Sequence, residues 1–203
     1  SPARGGGVER SETEGAQPQL NGKNKDELRT MSLTLTAPPL AEPVSLAELK
    51  EHLRIEHAAE DALIAGLGLA ARQTIEARWR IAMASQSWRL TLDTAPECAV
   101  ILPISPVLSV DAVGVLRNGI TEALPASAYD AQSGDLGRVR LKTSVSGSLV
   151  ISFTAGWPTI GDIPEPLKHA IRILTAHLYE NREGETGAND VAGLIAPYRQ
   201  VRL

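Results

Sequence analysis

Residues 63–93 read LIAGLGLAARQTIEARWRIAMASQSWRLTLD, and within this stretch the apolar period changes from that of a helix to that of a strand. Leu63, Ile64, Leu67, Ala71, Thr74, Ile75 and Arg78 fall on one face of a 3.6-residue helix. Beyond Ala84 the side chains of Trp88, Leu90 and Leu92 alternate with Arg89, Thr91 and Asp93. The change predicts a helix over 59–82 followed by a half-buried strand. Gly66 and Gly68 each cost that helix about 1 kcal/mol against alanine, which is tolerable where another helix or subunit has to approach closely.

Working upstream, Ser45-Leu46-Ala47-Glu48 is a capping box, with Leu46, Leu49 and Leu53 at helical spacing behind it and Pro43 breaking the chain before it. It predicts a helix over 45–55. Residues 1–30 differ from all that follows. They hold Gly5-Gly6-Gly7, five basic and five acidic residues, and only Val8, Leu20 and Leu28 as large apolar groups. Too little apolar surface is available there to offset the entropy of ordering the backbone. The reading is a flexible N-terminal arm over 1–36 ahead of a folded domain over 37–190.

Downstream, strand patterns cover 99–102, 107–115, 137–141 and 148–154, and Asn118-Gly119 is a pair suited to a tight hairpin turn. The region 86–155 therefore reads as one small antiparallel sheet of four to six strands. Gly156-Trp157-Pro158 and the Gly161–Pro166 cluster end it. A helix over 166–181 follows, striped by Leu167, Ala170, Ile171, Leu174 and Leu178. After a loop at 183–190, the segment 191–203 is apolar and basic without an acid. The fold class is α+β, with two N-terminal helices, a C-terminal helix and an inserted antiparallel sheet.

Composition narrows the function. The chain has 203 residues, 43% hydrophobic and 22% charged, as in a soluble globular protein. Its 20 Lys and Arg are outnumbered by 24 Asp and Glu, so no bulk positive charge favours nucleic acid or anionic lipid. No apolar run reaches the roughly 18–20 residues of a membrane span, and the start lacks an apolar signal segment. Membrane insertion and secretion are not expected. The single Cys98 cannot form an intramolecular disulfide and has no neighbouring base to activate it.

Chemistry-bearing patterns are lacking. His52 and His57 are five apart and His169 and His177 eight apart, spacings that make no helical metal chelate. No phosphate-binding glycine loop or nucleophile elbow is present. Arg72, Arg78 and Arg80 on the second helix, and Arg138, Arg140 and Lys142 around one strand, are not interleaved with aromatics. They suit a solvated or subunit-contacting face better than a nucleic-acid grip. No catalytic, cofactor or metal residue is assigned, and the chain is not expected to be an enzyme. A small enzyme using His52 or His169 with carboxylates, or another DNA-associated structural module, is the alternative.

The order of motifs resembles a known family. The capped helix Pro43–Leu53 precedes Asp61-Ala62-Leu63-Ile64 and Ala70–Glu76, then come Ser87-Trp88, Leu102–Val110, Phe153–Trp157, Pro164–Ile171, Tyr179–Glu183 and finally Leu194–Arg199. This set resembles the head–tail connector, or adaptor, family of tailed bacteriophages, prophages and gene transfer agents, from about Ala37 to Leu203. The resemblance implies a structural protein, assembled in the bacterial cytoplasm into the capsid–tail junction of a particle. It would form a homo-oligomeric ring, typically a dodecamer, beneath the portal protein, and present a surface to a stopper or tail terminator protein. DNA would pass through the lumen without sequence-specific binding. The resemblance further implies helices in the ring wall and a C-terminal segment, 191–203, docking on the portal. Leu194, Ile195, Pro197, Tyr198, Arg199 and Arg202 are the docking candidates. Gly66, Gly68, Arg72 and Arg78 are the subunit-interface candidates.

Overall fold

The computed structural model describes residues 30–181 and 187–199. The order of elements is β1 (Met31–Ala37), α1 (Leu46–Leu53), α2 (Asp61–Trp79), β2 (Gln86–Leu92), β3 (Val100–Ile101), β4 (Val107–Arg117), β5 (Ile120–Ala123), β6 (Tyr129–Gln132), β7 (Arg138–Leu141), β8 (Ser148–Ala155), α3 (Glu165–Glu180) and α4 (Ala192–Ile195). The mixture of helix and antiparallel strand is α+β.

The helices begin and end where local chemistry dictates. Ser45 Oγ accepts the Glu48 N–H while the Glu48 carboxylate accepts the Ser45 N–H at 2.7 Å, so two free donors at the start of α1 are satisfied. Arg54 and Arg80, both left-handed, end α1 and α2. Proline in the first turn of α3 lacks only an N–H that would have no helical partner.

Two corrections to the sequence reading concern strands. The arm expected over 1–36 ends earlier, because Met31–Ala37 is the edge strand β1, paired antiparallel with β2 from Met31↔Leu92 to Ala37↔Ser87. The alternation of Leu33 and Leu35 with Thr34 and Thr36 favours a pleated surface, and β2 supplies the ladder partners. Residues 1–29 lie outside the described residues. Secondly, the β region forms two sheets rather than one. The larger has the order β1-β2-β8-β4-β5 and the smaller β3-β7-β6. Strand β6 had no expectation attached to it. The hairpin at Asn118-Gly119 is as expected, with both residues at positive φ.

The core has two parts. Leu49 of α1, Ile64, Ala71 and Ile75 of α2, and Leu167, Ile171 and Leu174 of α3 make a helical core. Leu90, Val113, Leu149, Ile151 and Phe153 of the large sheet meet Leu102 and Val139 at the small one. The segment Ile81–Ala84, buried throughout, joins the two. Gly156 (φ 112°) makes the turn from β8 towards α3, where a side chain would collide with the Ala84 carbonyl oxygen.

Candidate interaction surface

The C-terminal segment turns back on its own domain. Val191 and Ile195 are fully buried in the helical core, with α4 packed against α3. Ile195, expected as a docking residue, is instead a core residue, buried in the helical cluster. Leu194 and Tyr198 are half-buried, and Pro197 and Arg199 are exposed. Arg202 lies outside the described residues. Tyr198 stands edge-on to Trp157, ring centroids 6.4 Å apart. Beside this pair is a hollow of about 270 Å³ lined also by Ser105, Leu136, Pro197 and Arg199. Ser105 is buried there and its Oγ has no hydrogen-bond partner among the described residues.

Of the four subunit-contact candidates, two are used within the chain. A Cβ on Gly68 would lie 2.5 Å from Leu49 Cδ1, so this glycine admits α1 rather than another subunit. Arg72 is buried, donating from Nε to Glu42 at 2.7 Å and from Nη1 to Glu76. A second bond to Glu42 runs from Nη2 at 3.2 Å, so the guanidinium is engaged within the chain. Gly66 has open space beside it, and Arg78 is exposed, stacked over Trp79 at 5.3 Å and hydrogen-bonded to Asn189.

Burial works against the Arg72 charge, but the Glu42 hydrogen bond and the charges of Glu76 and Glu42 outweigh it and raise its pKa. Burial likewise pushes the Glu76 carboxyl above its ordinary value, against the pull of Arg72 and of its hydrogen bonds to Met83 and Gln86.

A histidine pair missed by spacing appears across two helices. His52 of α1 and His169 of α3 meet edge-on with centroids 6.1 Å apart, close to Arg172, which bonds Glu48 at 3.2 Å and Glu165 at 3.5 Å. Partial burial, His169 and Arg172 together hold His52 below its ordinary value of 6.5. The Ser45 hydrogen bonds lower the Glu48 carboxyl. Among the described residues, no three His, Cys, Asp or Glu side chains converge to hold a metal ion. Helical spacing could not have revealed the pair, because its members are 117 residues apart in sequence.

Several large apolar side chains are exposed: Leu35 on β1, Leu40 just after it, Leu63 and Leu69 on α2, and Leu136 beside the hollow.

The architecture as a whole is similar to structural components of the neck of virus-like particles. In particular, it resembles chains of gene transfer agent particles. One is a chain from the neck of an empty particle (TM-score 0.72, 29% identity, 85% of this chain and 97% of that chain covered). A second comes from the virion of the native particle (TM-score 0.72, 28% identity, 84% and 96% covered). A third comes from the neck of the native particle computed with C12 symmetry (TM-score 0.68, 27% identity, 86% and 97% covered). No protein-family model matches the chain, and no curated protein sequence does. The resemblance to head–tail connectors carried by the ordered motifs thus holds in three dimensions.

Proposed function

We propose that this protein is a ring-forming connector at the capsid–tail junction of a gene transfer agent or phage particle. The observation that carries the reading is coverage: a gene transfer agent neck chain is matched over 97% of its length at a TM-score of 0.72. Copies of the chain assemble side by side under the portal protein and extend the channel through which DNA leaves the head. Their far side receives a stopper or tail terminator protein. The work is mechanical and no catalytic step is involved.

Charge fits this role. From Met31 onward 19 acids against 15 bases leave a net charge of −4, and a wall that does not neutralise phosphates lets duplex slide. The exposed part of the C-terminal segment, Pro197 and Arg199, is offered to the portal, with Leu194 and Tyr198 behind it. Removing the gene from a producing strain tests the reading. DNA-filled heads without attached tails are expected, with the neck density restored by supplying the chain. Tailed, transfer-competent particles from the deletion strain would rule the role out.

A further inference from the structure

A helix at a protein surface turns its charges to water and its apolar side chains to the core. Helix α2 reverses this. Between Asp61 and Arg78 its only charged side chains, Arg72 and Glu76, are buried, while Ala62, Ala65, Leu69, Gln73 and Ala77 are exposed. These five recur at three- and four-residue spacing and share one side of the helix. From Ala62 to Ala77 that uncharged face is about 22 Å long. A helix without a charged face is ordinarily covered by other protein.

The apolar surface continues beyond the helix. Ala65 and Leu69 border a hollow of about 360 Å³ whose other wall holds Pro43, Val44 and Leu46. Gln73 and Ala77 border a second, of about 380 Å³, walled by Leu33 and Leu35 of β1 and Trp88 of β2. Leu69 and Leu35 stand 38% and 41% exposed at these hollows. One face of the subunit therefore offers α2 with an apolar hollow against each half of it, a relief into which protein side chains can pack.

Chemistry narrows what covers this face. Residues 1–30 hold only Val8, Leu20 and Leu28 as large apolar groups, too few to cover it from within the chain. Permanent contacts between copies of one chain are more apolar than contacts that form and part. The gene transfer agent necks that contain chains similar to this one were computed with sixfold and twelvefold symmetry, which repeats a chain around an axis. A closed ring joins two different faces of each copy. We infer that the outer face of α2, from Ala62 to Ala77, is one of the two faces by which copies of this chain join. The inference rests on the ring reading above and names a contact within that ring.

The test uses assembled particles carrying the full chain. Benzophenone maleimide is attached to Leu69→Cys or Gln73→Cys in a Cys98→Ser background, the particles are irradiated, and the adducts are identified by mass spectrometry. A product of two linked copies of this chain is expected from both positions. In parallel, Leu69→Glu should lower the yield of intact necks at least ~10-fold, as loss of a central apolar anchor does. The melting temperature of the isolated chain should stay at the wild-type value. Rings visible by electron microscopy whose labels link only to a different particle protein, only to residues 1–29 of the same chain, or to nothing would overturn the assignment of this face and leave the ring standing. Leu69→Glu necks at normal yield would do the same. Necks that contain no ring of this chain would overturn both.

Discussion

Glu76 accepts a hydrogen bond from Arg72 one turn earlier on α2 at 2.5 Å, and its other carboxylate oxygen accepts the Met83 N–H at 2.8 Å and the Gln86 amide at 3.0 Å. One buried carboxylate thus ties the helix to the first residues of the sheet, while Arg72 reaches back to Glu42 ahead of α1. Both side chains are buried, so removing Arg72 leaves the Glu76 carboxylate without an opposite charge, and removing Glu76 leaves Arg72 with Glu42 alone and the Met83 and Gln86 donors without their acceptor.

Arg72→Ala or Glu76→Ala should accordingly destabilise the chain by about 3–5 kcal/mol. Glu42→Ala, whose carboxylate is half in water, should cost less than about half of that. Denaturant melts of the three variants measure the difference. Equal, small losses for all three would show that the pair is not structurally required.

The glycines separate by environment. Gly66→Ala meets nothing within 4 Å and should stabilise α2 by about 0.5–1 kcal/mol in the isolated chain. Gly156→Ala must place a side chain against the Ala84 backbone at positive φ, and should cost at least about 3 kcal/mol. Thermal unfolding distinguishes the two. If Gly66→Ala raises stability yet lowers neck assembly, Gly66 belongs to a subunit contact.

Acid should loosen the packing of α1 on α3. The pKa of His52 is lower folded than unfolded, so the unfolded chain binds the proton more readily, and stability is lost as pH falls below about 6.5. Glu48, also lowered, adds a loss in the same direction as pH falls below its ordinary value of about 4.5. Melting temperature followed from pH 7.5 to 5 should decline, and His52→Gln should flatten that decline. An unchanged slope in the variant would remove His52 from the account.

Cutting the chain after Asp190 should weaken folding as well as docking. Val191 and Ile195 are fully buried, and each large apolar side chain lost from a core costs about 2–5 kcal/mol. Point variants at exposed sites are the cleaner probe: Arg199→Glu should keep the wild-type melting temperature while reducing particle completion. A truncated chain as stable as the full one would show that the segment does not belong to the core.

Local signals in the sequence carried far. The Ser45–Glu48 box, the period change near Ala84, the Asn118-Gly119 turn and the apolar stripe of α3 each depend on neighbours a few residues away, and each lies where it was expected. The candidate surface was legible only in part. Tyr198, Pro197 and Arg199 were visible as an apolar and basic tail, but Trp157, Ser105 and Leu136 join them from three distant segments. Gly68 and Arg72 could be marked as unusual for a helix, yet nothing nearby in sequence says whether a partner comes from the same chain.

By itself, the sequence determined the helices α1, α2 and α3 and the strands β2, β3, β4, β7 and β8, because caps, turns and apolar periods act over a few residues and need no long-range partner. It also carried, in the order of its motifs, the likeness to connectors. Only the tertiary structure decided that Met31–Ala37 closes one edge of the large sheet, that the strands divide into two sheets, and that Ile195 lies inside while Leu40 stands outside. The physical reason is that burial depends on what packs across the chain. An isoleucine in an apolar tail and a leucine in a proline turn have similar local signals, and only contacts from far along the sequence cover one and leave the other in water.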